Sequence, residues 1–185
     1  MQKMAQFSKV SYNQYRKDWL ETFFKDERDY LDPVTKEVKI EIDNYIRDIY
    51  SKIELPKRAT SQSAGYDFRM PDAFTLKAGD NIKVPTGIRC EMYDGWVLTL
   101  CPRSGHGSKY GVHLANTVGI VDGDYAEADN EGHIFVKLVN DSSLAKDIRF
   151  EAGDAFCQGV FLKFGITLDD DATEQRHGGF GSTGR

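Results

Sequence analysis

No run of about 18 apolar residues occurs in this 185-residue chain, so no membrane-spanning helix is expected. Cysteine is scarce. Cys90, Cys101 and Cys157 form an odd, widely spaced set that fits neither a disulfide framework nor a zinc site. They read as buried thiols in a reducing cytosol. The opening MQKMAQFSKVSYNQY lacks an apolar stretch followed by small residues, so no secretory leader is expected either, and a cytoplasmic location follows. A basic excess is also lacking. The net charge is -5: residues 1–57 carry 11 Lys+Arg against 11 Asp+Glu, and residues 58–185 carry 13 against 18. An acidic main segment argues against stable nucleic-acid binding but leaves room for a small phosphorylated ligand. No repeat of fixed period is present. What remains is 40% hydrophobic and 29% charged, the balance of one globular domain with an appendage.

The chain changes character between Lys52 and Thr60. Before it, Tyr12, Tyr15, Trp19 and Phe23 recur at helical spacing, with Ser8 or Ser11 as the cap. Val38, Ile42, Tyr45, Ile49 and Ile53 repeat the pattern after the start signal Asp32-Pro33, although Lys39–Ile42 also alternates like a strand. These stretches predict a helical hairpin over residues 1–50 whose apolar faces pack on the main domain, a partner subunit or another protein. Beyond residue 53, short apolar runs are broken at Ala78–Asp80, Pro85–Gly87, Tyr93–Gly95, Asp122–Asp124 and Ala152–Asp154. The runs are Phe74–Leu76, Ile82–Val84, Trp96–Leu100, His133–Val139 and Phe156–Phe164. Many short strands with such breaks predict a mainly β sandwich or barrel.

Five segments are denser in Gly, Asp, Ser and Arg than turns require: Ala64–Phe68, Pro102–Gly105, Asn116–Tyr125, Gly153–Gly159 and the tail RHGGFGSTGR. Taken singly, each could be an ordinary loop, since Gly-Asp is a common turn. In this order, over about residues 51–185, they resemble the five motifs of the trimeric dUTP diphosphatase (dUTPase) family. That resemblance implies a jelly-roll-like β-barrel, a homotrimer with shared active sites, and Mg²⁺-dependent hydrolysis of dUTP to dUMP and pyrophosphate. Such a reaction controls the dUTP level and supplies dUMP for thymidylate synthesis. It also divides the chain into a helical extension (1–50), a β domain (51–170) and a flexible glycine-rich lid (171–185).

The resemblance assigns roles residue by residue. Asp122 is the expected catalytic base, polarising the water that attacks the α-phosphorus; on local grounds alone it is an Asp-Gly turn residue. Asn116 supplies a donor and an acceptor to the edge of uracil, with backbone groups of Gly119 and Ile120 beside it. Tyr125 is expected to press its ring on the deoxyribose and exclude a 2′-hydroxyl; without the motif it would be a core aromatic. Arg103, Ser104, Gly105 and Gln158 are the expected phosphate contacts. Asp67 supports the site or reaches the metal through water, or is simply structural. No direct protein ligand is expected for Mg²⁺, which prefers phosphate oxygens and water. In the tail, Phe180 stacks on the base, and Gly181, Ser182 and Thr183 reach the γ-phosphate as the segment closes over the nucleotide.

Three features depart from the family pattern. The gap from Arg176 to Phe180 is short, so either Arg176 or His177 would meet the γ-phosphate. Residues 126–132 lengthen the turn after Tyr125, and are expected to be acidic and exposed. The segment 1–50 is an addition, read as an element of the trimer surface or a docking site for a protein partner. His106, His113 and His133 read as structural or surface residues. Two other functions compete: a deaminase on the same fold acting on dCTP, which needs a glutamate base, and a module that uses the nucleotide-ordered lid to control a partner.

Overall fold

A computed structural model describes residues 3–24, 36–174 and 176. The protein is mainly β. Strand β1 (Ala5–Lys9) is followed by helices α1 (Tyr12–Phe23) and α2 (Lys36–Lys52). Strands β2 (Lys57–Arg58), β3 (Tyr66–Arg69), β4 (Phe74–Leu76), β5 (Asn81–Pro85), β6 (Ile88–Met92) and β7 (Trp96–Pro102) come next. A short helix α3 (Ser104–Tyr110) precedes β8 (Val112–Leu114) and β9 (Gly119–Val121). After a 3₁₀ turn (Gly123–Glu127) come β10 (Phe135–Asn140), β11 (Ile148–Phe150) and β12 (Ala155–Lys163). Among the described residues, no helix is long and apolar enough to cross a membrane.

Every strand pair is antiparallel. The largest sheet runs β2-β3-β12-β7-β9 and a second runs β5-β10-β8, with the pairs β11-β4 and β1-β6 beside them. Alternation sets which side faces inward: on β10, Val136 and Leu138 are buried while Lys137 points out. The turns expected at Gly79, Gly87, Gly95 and Gly153 all hold glycine at positive φ. At Gly87 the requirement is also spatial, since a Cβ would lie 2.4 Å from Ile53.

The two expected helices form, and Ser11 is the cap that α1 uses, its hydroxyl accepting from the Gln14 N–H at 3.1 Å. The alternating stretch Lys39–Ile42 lies within α2, because seventeen residues at helical period outweigh four at strand period. Asp32 and Pro33 lie outside the described residues. The apolar faces of the hairpin pack on the chain's own main domain. Tyr15, Leu20, Ile46 and Ile49 join Phe68, Leu98 and Phe156 in one buried cluster. Between the helices, Arg16 pairs with Asp43 at 2.8 Å and the Tyr12 hydroxyl donates to the Asp43 carbonyl. The extension also contributes a strand: β1 pairs with β6 from Ala5↔Met92 to Lys9↔Ile88.

Candidate active site

Three neighbouring strands carry the first group of candidate residues. Register places Asp67 of β3 opposite Gln158 of β12, and Gln158 opposite Cys101 of β7. Residues directly opposite share a face, so Asp67 and Gln158 stand side by side where β7 ends and Arg103 begins. The Arg103 guanidinium meets the Asp67 carboxylate at 2.7 Å. Gln158 Nε2 donates to the Pro102 carbonyl at 3.5 Å. A Cβ on Gly65 would come within 2.7 Å of Gln158 Oε1, so a glycine there lets the amide lie flat on the strand.

Arg103 is also the N-cap of α3, holding an extended conformation with no side-chain cap. Its carbonyl takes the N–H groups of His106 and Gly107. The amides of Ser104 and Gly105 fall in the first helical turn, where a helix has no internal acceptor for them. Space is open in front of Gly105, with nothing within 4 Å of an added Cβ. Behind them, burial and then the Arg103 charge hold His106 below the ordinary histidine range. His113 is exposed.

The second group lies on the β8–β9 hairpin. Asn116, Thr117 and Val118 form its tip, exposed to solvent. The Val118 N–H donates to the Asn116 carbonyl at 2.6 Å around Thr117, whose φ is +63°. This is a γ-turn of the strained hand, unusual for a β-branched residue. Gly119 is buried because β9 lies hard on β7, where a Cβ would stand 3.0 Å from Leu100. Ile120 points outward, 54% exposed. Beneath the tip is a cavity of about 210 Å³ lined by Leu100, Leu114, Asn116, Gly119, Phe135 and Lys137.

Past β9, Asp122 sits at the N-cap position of the 3₁₀ turn without a side-chain capping bond, its side chain half-exposed. Arg176 bridges Asp122 and Asp124 of its own chain, at 2.5 and 3.0 Å, with its guanidinium 5.6 Å from the Tyr125 ring centre. Tyr125 is buried. Its hydroxyl donates to the His133 carbonyl at 2.7 Å and accepts from Asn130 Nδ2 at 3.0 Å. Burial pushes the Tyr125 phenol up. The turn expected to be exposed is only partly so: Glu127 and Asp129 point out, but Ala126, Ala128 and Gly132 are buried. Gly132 closes the turn against Ala126, where a Cβ would lie 2.6 Å from the Ala126 Cα. His177, Phe180, Gly181, Ser182 and Thr183 lie outside the described residues.

Gly119 pairs with Leu100, so the hairpin tip lies towards the Arg103 end of β7 and Asp122 towards the opposite end. Val121 pairs with Leu98, so Asp122 stands level with Val97, six positions from Arg103. At about 3.4 Å per residue the separation along the strand is about 20 Å. Some residues of the site were not singled out from the sequence. The strained Thr117 is one, and Asp124, the second carboxylate on Arg176, is another. Asp124 sits inside the Asn116–Tyr125 segment and was readable there as a second acid; the strain at Thr117 leaves no mark in residue type.

One β scaffold therefore carries a basic-and-amide cluster at one end of β7 and the Asp122–Asp124 carboxylates towards the other. A family model described as dUTPase matches residues 51–184, and the chain belongs to that family. It is 39% identical over 135 residues to a deoxyuridine 5′-triphosphate nucleotidohydrolase of Lactococcus lactis, covering 71% of this chain and 89% of that one. A protein of the same name from Chromobacterium violaceum is 38% identical over 152 residues, covering 78% and 97%. Among solved structures, the dUTPase of Streptococcus mutans superposes with a TM-score of 0.55 at 41% identity, covering 63% of this chain and 89% of that chain. The dUTPase of phage phi11 of S. aureus, at 19% identity and a TM-score of 0.54, shares the fold.

Proposed function

We propose that the protein hydrolyses dUTP to dUMP and pyrophosphate, with water attacking the α-phosphorus and Mg²⁺ bound by the phosphates. The observation that carries the reading is the cluster of Arg103, Gln158 and the Ser104 and Gly105 amides around the end of β7. A fork of guanidinium donors, a side-chain amide and two first-turn N–H groups with no acceptor in their own helix suit the non-bridging oxygens of a triphosphate. Asn116 reads the uracil edge at the mouth of the hairpin cavity, with the Gly119 and Ile120 backbone beside it. The Tyr125 ring sets the limit at the sugar. Asp122, half-exposed and level with the solvent, orients the attacking water and takes its proton. Phe180, Gly181, Ser182 and Thr183 close over the nucleotide, and Arg176 or His177 meets the γ-phosphate.

Among the described residues, no group of three or more His, Cys, Asp or Glu could hold a metal ion. In this reading the cation arrives on the substrate, because Mg²⁺ prefers phosphate oxygens and water. Asp67, beside the phosphate donors, is the carboxylate that would face its water shell. When bound, Mg²⁺ neutralises phosphate charge; binding, orientation and proton removal fall to the side chains named above.

A shared site is supported by the separation along β7, which is too long for one chain to place Arg103 and Asp122 on neighbouring phosphorus atoms. We therefore propose a homotrimer of jelly-roll-like subunits, each lending residues to its neighbours. Phe164, Ile166 and Leu168 agree with this: they alternate along the segment after β12 and are at least half-exposed. The division into an extension (1–50), a β domain (51–170) and a lid (171–185) goes with this reading, as does a cytoplasmic location for a chain with three free thiols. The dCTP deaminase alternative is disfavoured, because the two acids directly after β9, Asp122 and Asp124, are aspartates.

The test is pyrophosphate release from dUTP, dCTP, dTTP and UTP, with and without Mg²⁺, for the wild type and Asp122→Asn. Only dUTP should turn over appreciably, and only with the metal. Asp122→Asn should lower kcat by about 100- to 10,000-fold with little change in nucleotide binding. Ammonia release from dCTP, or an active Asp122→Asn protein, overturns the reading.

A further inference from the structure

We propose that the N-terminal extension is a positioning element for the sugar contact, acting through a buried relay from Asp18 through His133 to Tyr125. The proposal rests on Tyr125 facing the deoxyribose. Asp18 projects from α1 into the main domain, and its Oδ2 lies 2.5 Å from Nδ1 of His133. His133 is fully buried, and its Nε2 accepts the Gly87 N–H at 2.8 Å. An imidazole nitrogen that accepts carries no proton, so Nδ1 holds the ring proton and donates it to Asp18. The ring is thereby fixed from both sides, one side being the extension. The carbonyl of the same His133 takes the Tyr125 hydroxyl.

A second clamp reinforces the first. The Ser11 N–H and hydroxyl both donate to the Glu131 carboxylate at 2.6 Å. Glu131 holds a left-handed φ of +57°. Arg89 ties the turn from beneath, donating to the Glu131 and Ala126 carbonyls at 2.8 Å each. The lengthened turn after Tyr125 is therefore gripped twice by α1, at its cap and at its middle. Filling that space with apolar side chains would avoid the desolvation of a carboxylate and an imidazole. The polar pair adds direction, which is what a phenol needs if its ring is to meet the sugar at one angle.

The test measures kcat/KM for dUTP and for UTP, together with Tm, on full-length variants. Asp18→Ala should lower the dUTP-to-UTP ratio about tenfold, chiefly through KM for dUTP. Asp18→Asn should keep the ratio, since its amide oxygen still accepts from Nδ1. Tyr125→Phe should reproduce the loss, and the Asp18→Ala/Tyr125→Phe double variant should lose no more than either. Ile46→Val thins the packing of the extension without touching the relay; it should lower Tm and leave the ratio alone. A wild-type ratio in Asp18→Ala, while Tyr125→Ala abolishes discrimination, overturns the relay and leaves the sugar assignment standing. Should Asp18→Ala not fold, a wild-type ratio in Tyr125→Phe overturns it equally. Unchanged discrimination in Tyr125→Ala removes the sugar assignment, and the relay with it.

Discussion

Arg103 and Asp67, thirty-six positions apart in sequence, meet at 2.7 Å where β7 and β3 flank β12. Asp67 is the more buried partner, with its side chain 19% exposed against 39% for Arg103. The carboxylate therefore acts as a fixed post that aims a more mobile guanidinium.

Arg103→Lys should cost about 10- to 100-fold in kcat/KM, the value of one or two charge-assisted hydrogen bonds that a point charge cannot replace. Asp67→Asn keeps the shape but loosens the aim, so it should raise KM more than it lowers kcat. Steady-state pyrophosphate release separates the two effects.

Thr117 holds its γ-turn at a cost. A β-branched residue at positive φ stores about 1–3 kcal/mol, and glycine at the same position would relieve most of it against an entropic penalty below about 1 kcal/mol. Thr117→Gly should therefore unfold at a higher temperature than the wild type. It should also bind dUTP less tightly, because the tip that carries Asn116 becomes looser. Calorimetry and KM together check both halves.

Burial pushes the Cys90 and Cys157 thiols up to about 12 from an ordinary value near 9. The folded state keeps both neutral where the unfolded chain would ionise them. Their contribution to stability is complete below pH 9 and is lost progressively as pH rises from 9 towards 12. Melting temperature should fall over that window, and Cys90→Ala should show a shallower fall. At pH 8, Cys101, which is partly exposed, should be alkylated before either of the other two.

Much of this architecture was legible in residue order. Tyr12, Tyr15, Trp19 and Phe23 announced α1, and the apolar runs between Gly-Asp breaks announced β5, β7, β10 and β12. Those breaks are visible because left-handed backbone nearly demands glycine. Other elements escaped for physical reasons. Strand β1 is a short mixed stretch whose partner β6 lies some eighty residues on, so its pairing has no local signature. Helix α3 contains two glycines in seven residues, and position rather than propensity makes it helical. The site followed the same rule. Asp67, Arg103, Gln158 and Asp122 were readable as residue types in ordered segments. That Asp67 would hold Arg103, that Asp18 would cross 115 positions to reach His133, and that Arg176 would rest on Asp122 and Asp124 were not.

The length of β7 between its two equipped ends has one more consequence. In an assembly where each catalytic centre borrows from neighbours, a subunit disabled at Asp122 and a subunit disabled at Arg103 carry complementary defects. Unfolding and refolding the two inactive proteins together would regenerate working centres that neither preparation contains alone.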